Sequence, residues 1–479
     1  GGTTAVIIAA STIDGDLTVT SGNASGITDS GAVTVGGNLV ATTDANNGVI
    51  DLGTTTVTGT MDLTSHGSGD VTIDNATTDI VLIASEIGGN LTLTTGNASG
   101  ITDTGTVTVG GNLVATTDDN NGVITLDNLE VDGTFTLAPN STGDVTIVND
   151  DGLTLAASTM GGNFSGTATT GNITDTGALA ITGTTTLITS ENNATITLDT
   201  ATNMFAEKVD LSTQGTSGHV TLVHGDHSEY LDFAASEVRG NLTVTTGTGG
   251  RVRQFGIITV DGTTDITATD GASNVEFNGY ENVLTGTISM KCHNCRVVNS
   301  KAVELGTVNA RAMRATARGA ITQSAASVIT VTNNAARFTA QSSDTSTKYD
   351  ITLENPLNDF SAAVEVVAAA NVSVKDTNAI KLGESTVSGN YAITAGGAVT
   401  DSTTSSENLD IEGTTTISAS GSDITLDLAE HDFTGAVSVE GANVQLVDAN
   451  AIDLGASDVS GTYAVTATAG GDITDSGVL

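Results

Sequence analysis

Cys292-His293-Asn294-Cys295 holds the only two cysteines of the chain, three positions apart. Such a pair can close a local disulfide, stay reduced and packed, or lend thiolates to a metal or an intermolecular link. In an extended strand residues i and i+3 lie ~10 Å apart, beyond disulfide reach. The disulfide therefore requires a turn at His293-Asn294, and an extracellular setting would favour it. His219, His224 and His227, with Asp226 and Glu229, form the one histidine cluster. Zinc would need three ligands converging at ~2 Å, so these are weak metal candidates beside the ordinary reading of turn histidines. Asp118-Asp119-Asn120-Asn121 and Asp150-Asp151 offer the hard oxygens that suit calcium. The glycine-rich calcium nonapeptide is absent, however, and Asp and Asn are common turn formers. No cofactor is therefore expected, with calcium left open by the residue types and the three histidines the weak candidates for another metal.

The remaining candidates are cationic. The chain carries 14 Lys and Arg against 55 Asp and Glu, a net charge of −41. That disfavours nucleic acid as a partner and favours solubility of a Val- and Ile-rich β structure. Residues 1–207 contain no Lys or Arg, whereas residues 239–348 hold 11 of the 14 basic residues and only seven acids. Arg251, Arg253, Arg311, Arg314 and Arg318 are the expected docking patch, for the acidic flank of a second copy or for an anionic glycan. The competing reading is a diverged segment with solvated arginines. Catalysis is not expected: a sugar-processing site would gather carboxylates beside stacking aromatics. Here the acids recur with the repeat, and the five Tyr and nine Phe are scattered.

The elements that must position these residues repeat. Residues 22–50 return as residues 96–124 with three of 29 positions changed. A Ser-x-Φ-x-Gly-x-Φ signature (Φ apolar) recurs at 11–17, 85–91, 158–164, 236–242, 385–391 and 457–463. An Ile/Val-Thr-Asp-Ser/Thr signature follows it at 27–31, 101–105, 173–177, 399–402 and 473–477, with Ile321-Thr322-Gln323-Ser324 a decayed copy. The result is about seven modules of ~74 residues across residues 1–479, the 243–348 module being diverged and locally basic. Within modules, apolar and small polar residues alternate with period two, and Gly, Asn, Asp and Ser separate the runs. Nothing sustains a helical period, and only Pro139 and Pro356 interrupt the supply of backbone donors. With 38% apolar residues and no Trp, a wide core is out of reach but a narrow one is not. The expected fold is all-β: one continuous parallel β-helix (β-solenoid) without helices, with rungs of about 20 residues. A string of β-sandwiches is disfavoured, since linkers and a buried Trp are missing.

Residues 432–477 (DFTGAVSVEGANVQLVDANAIDLGASDVSGTYAVTATAGGDITDSG) and most of the chain in the same style resemble the repeat regions of filamentous haemagglutinin-like and other giant bacterial surface proteins. The resemblance implies a right-handed parallel β-helix, secretion, and a role as adhesin shaft or extracellular fibre. No run of 18 apolar residues is present, so membrane insertion of this segment is not expected. The repeat runs to both ends without atypical capping modules. The expectation is a segment of a longer array, a processed product, or a protomer with covered ends, partnering itself head to tail and laterally.

Overall fold

Alternation along the chain becomes alternation of burial. In the computed structural model, which describes residues 4–44, 46–225, 230–268, 273–401, 408–419 and 421–478, the strand Leu91–Thr95 buries Leu91, Leu93 and Thr95 and half-exposes Thr92 and Thr94. The same pattern holds in strand after strand, because successive side chains of a strand face opposite sides. Short strands of mostly three to five residues are separated by turns rich in Gly, Asn and Ser.

The chain folds as two compact units, residues 1–247 and 248–479. In the first, Val71 aligns with Leu91, Leu91 with Leu113, and Leu113 with Phe135, each pair between parallel strands of successive rungs. All four are fully buried. In the second, Ile321, Ile351, Val372 and Tyr391 form an equivalent column. Identical or similar side chains thus stack along the core instead of interdigitating between sheets, which lets small aliphatic residues fill a narrow interior.

The described residues are all-β, with no helix. Together the two units hold about 21 turns of a β-solenoid with rungs of roughly 22 residues. The rungs are slightly longer than the alternation predicts because several corners take extra residues. Thr43 and Thr117, for example, each close a corner by donating to the carbonyl five residues on. Among the described residues the one isolated bridge, Gln341–Lys348, is antiparallel and lies on an excursion from the rung. No helix there is long and apolar enough to cross a membrane.

Candidate functional site

Two sets of residues stand out: polar side chains that face inward at fixed places in the repeat, and one column of charges facing outward.

The inward set begins with Asn75. Its Oδ1 accepts from Val57 N at 2.7 Å, and its Nδ2 donates to Val57 O at 3.1 Å. The strand of the preceding rung is held by both its backbone groups. Asn149 does the same to Val131, and Asn299 to Leu284. At the corresponding places His224 Nδ1 accepts from Phe205 N, Asp376 from Phe360 N, and Asp448 from Phe433 N. All six are 0–4 % exposed. Burial raises the carboxyls of Asp376 and Asp448 above the usual aspartate value, and their backbone hydrogen bonds oppose that rise.

The recurring signatures do related work. Ser85, Ser158, Ser236 and Ser457, which open the Ser-x-Φ-x-Gly-x-Φ signature, accept a backbone N–H from Leu63, Leu137, Leu211 and Val439 of the preceding rung. The residue before the last apolar position builds an outer ladder. Asp70 caps Asn90 N, Asn90 Oδ1 caps Asn112 N, and Asn112 Oδ1 caps Thr134 N, at 2.7–2.8 Å. Asp350, Asn371, Asn390 and Thr414 repeat it in the second unit. The signature glycine makes room: a Cβ on Gly89 would stand 2.5 Å from Asp70 Oδ1.

The aspartate of the second signature grips the following rung. Asp175 accepts from Asp199 N, Thr200 N and the buried Asn203 Nδ2. Asp401 accepts from Asp427 N, Leu428 N and the buried His431 Nε2. Because His431 Nδ1 accepts from Leu409 N, its Nε2 carries the donated proton. Where the sequence has Gln323 in place of the aspartate, the signature is substituted rather than lost. Gln323 forms a reciprocal amide pair with Asn358, and Gln254 forms one with Asn282. Gln254 escapes a search for the signature because its neighbours are Arg253 and Phe255.

The outward column lies in the second unit. Parallel register aligns Arg253 with Glu276, Glu276 with Arg296, Arg296 with Arg314, Arg314 with Arg337, and Arg337 with Glu365. Arg337 pairs with Glu365 at 3.1 Å and reaches Glu384 at 4.0 Å. Among the described residues Arg296 and Arg314 form no ion pair. A groove of about 420 Å³ follows the column, lined by these three arginines, by Glu276 and Glu365, and by Asn274, Asn294 and Asn334.

A family comparison matches residues 2–52, 68–138, 142–212, 217–291, 293–367, 369–440 and 441–479 to repeats of unknown function (DUF5649). The chain belongs to the DUF5649 repeat family. Comparisons with curated proteins and with solved structures find no match, so nothing there confirms a filamentous haemagglutinin-like identity. Each DUF5649 match from residue 68 onward holds one inward clamp near its start: Asn75, Asn149, His224, Asn299, Asp376 and Asp448 in order. The repeat unit is thus also the unit of rung-to-rung clamping.

The sequence-derived candidates distribute unevenly over these DUF5649 repeats. Cys292 and Cys295 are joined in a disulfide, with Cα atoms 5.7 Å apart, across a bend at His293-Asn294 inside the strand Ile288–Asn299. His219 and His224 lie at opposite ends of the strand Val220–His224 and are not brought together. His219 Nδ1 accepts from Asn241 N in the outer ladder, whereas His224 is an inward clamp. His227, Asp226 and Glu229 lie outside the described residues. Among the described residues no three His, Cys, Asp or Glu side chains are grouped to hold a metal. In the aspartate-rich turns, Asp119 accepts from Asn120 N and Asp151 from Thr170 Oγ1. Of the expected docking patch, Arg253 and Arg314 stand in the charged column. Arg251 precedes Arg253 on the same strand, Arg311 sits exposed one bend away, and Arg318 stacks over Tyr280 at 5.7 Å. Arg296 and Arg337 complete the column and were not in the expected set; only a rung-by-rung register reveals them.

Proposed function

We propose that this chain is a non-catalytic structural protein, a β-solenoid segment of an extracellular filament, sheath or stalk that assembles with copies of itself end to end. One observation carries the reading. The residues that recur from module to module (the signature Ser, Gly, Asn and Asp, and the inward clamps) are engaged in holding one rung to the next. A repeat selected for binding or catalysis would instead keep polar groups turned outward and unspent. The Cys292–Cys295 disulfide supports an oxidising compartment.

Negative-stain electron microscopy and sedimentation of the purified chain test this. Filaments of uniform width, growing with concentration, are expected. A sedimentation coefficient constant up to tens of micromolar would overturn end-to-end assembly. The second reading, an adhesin shaft, is favoured by the arginine column, and it would show monomers that bind a surface ligand.

A further inference from the structure

We propose that the column Arg296–Arg314–Arg337 is a binding site for a short stretch of linear anionic polysaccharide bearing carboxylate or sulfate groups. The proposal stands whether or not the chain polymerises. Parallel register places the three guanidinium-bearing residues on successive rungs. Neighbouring strands lie ~4.8 Å apart, so the outer two cations are spaced by about 10 Å along the solenoid axis. That suits anionic groups on alternate residues of an extended sugar chain. Arginine forks donate bidentately to carboxylate and sulfate oxygens.

The rest of the groove fits a sugar. Asn274, Asn294 and Asn334 line it with amides that can both donate to and accept from hydroxyls. Asn294 is held in place by donating to Asn274 Oδ1 at 2.9 Å. The Nε atoms of Arg296 and Arg337 are buried and have no acceptor among the described residues. Arg337 is oriented by Glu365, while Arg296 and Arg314 keep their charges outside any ion pair among the described residues. Past the strands Arg251–Gln254 and Val275–Phe277 of the two rungs before Arg296, Phe255 and Tyr280 are 57 % and 55 % exposed, with Arg253 stacked over Phe255 and Arg318 over Tyr280. Exposed rings of this kind offer apolar faces to pyranose C–H groups.

The alternative occupant is the acidic flank of a second copy. It fits less well, because Glu276 bounds the arginines on one side and Glu365 and Glu384 on the other. A long row of carboxylates would meet these acids at both ends, whereas a stretch of about three sugars with its anionic groups on the first and third would span only the arginines.

Binding of the full chain to immobilised oligogalacturonate, dextran sulfate and uncharged dextran tests the proposal. Arg314→Ala and Arg296→Gln are compared with Lys375→Ala, whose strand Val372–Asp376 lies outside the column. Circular dichroism and an intact disulfide confirm folding of each variant. The expected result is salt-sensitive binding to a charged polymer, weakened roughly tenfold or more by either arginine variant and unchanged in Lys375→Ala. Binding to oligogalacturonate alone assigns the carboxylate, and binding to dextran sulfate alone assigns the sulfate. Equal binding to dextran, or arginine variants that bind like the parent, would overturn the site. Self-association that Arg314→Ala abolishes, without polysaccharide binding, would overturn the ligand in favour of a second copy.

Discussion

Asn299 grips Leu284 from inside the core, its Oδ1 accepting Leu284 N and its Nδ2 donating to Leu284 O, each at 2.9 Å. A second donation, to Ala302 O at 2.7 Å, ties the corner that follows. A side chain that is fully buried and polar is stable only because each of these groups is answered.

Replacing Asn299 by Leu keeps the branched layout of the side chain, with two methyl groups in place of the amide, and removes all three hydrogen bonds. The backbone N–H and C=O of Leu284 would then lie buried without partners. Asn299→Leu should cost about 2–4 kcal/mol, since each unsatisfied buried group costs ~1–3 kcal/mol. Hydrogen exchange gives the local signature: the Leu284 amide should exchange far faster in the variant, while amides around Asn149 keep their protection. Unchanged exchange at Leu284 would refute the clamp.

The outer ladder depends on the signature glycine. A Cβ on Gly389 would stand 2.5 Å from Asn371 Oδ1 and 3.0 Å from Ala370 O. Asn371 Oδ1 is the acceptor for Asn390 N, so it cannot retreat without breaking the ladder. Gly389→Ala should therefore destabilise the second unit by about 1–3 kcal/mol. Gly15 occupies the same place in the signature STIDGDL, but a Cβ there meets nothing within 4 Å. Gly15→Ala should be neutral or slightly stabilising in a chemical denaturation series. Equal effects at the two sites would sink the steric account.

Asp401 predicts an acid-side loss of stability. Burial works to raise its carboxyl, but the hydrogen bonds from His431, Leu428 and Asp427 prevail and hold it below the usual value of 3.8. A carboxyl lowered in the folded state favours folding fully above pH 3.8. That contribution is lost as the pH falls from 3.8 through the lower folded value. Asp401→Asn should be less stable than the parent near neutrality, and the gap should close progressively below pH 3.8. Asp376 and Asp448 act with the opposite sign, because burial raises them: their contribution is present below 3.8 and is lost as pH rises through their folded values. A parent-to-variant gap that stays constant to the lowest pH at which both remain folded would remove Asp401 from this role.

The strands, their parallel stacking and the narrow core are legible in the sequence, because period-two alternation and the repeat both report directly on which residues face inward. Asn90 and Ser85 are visible as recurrent letters, yet their work is not. Their partners, Asn112 and Leu63, lie 22 residues away on neighbouring rungs. Sequence spacing alone cannot say whether a recurrent Asn is a turn former, a glycosylation acceptor or a cap. The charged column was half seen for a related reason. Glu276, Arg296, Arg314 and Arg337 share a register while rung length varies between them, so no fixed period marks them. Gln254 and Gln323 look like decay, but amide pairing preserves the function of the aspartates they replace.

The disulfide offers a last test, because it closes a very short loop at a bend that other contacts already define. His293 N donates to Ser273 O at 2.7 Å, and Asn294 Nδ2 to Asn274 Oδ1 at 2.9 Å. The flanking strand is fixed by register on both sides: Cys292 against Ala310, and Cys295 against Met313 and Val275. A cross-link spanning so few residues removes little chain entropy from the unfolded state, about 2 kcal/mol. Without reductant, an alkylating agent should add no mass to the unfolded chain; after reduction it should add two groups. The double variant Cys292→Ser, Cys295→Ser should lose no more than about 2 kcal/mol and keep the arginine column, because Arg296 is held by its strand rather than by the sulfur bridge. Alkylation of both cysteines in protein unfolded without reductant would show that they do not pair. A variant that no longer folds would show that the bridge, and not the register around it, sets the bend.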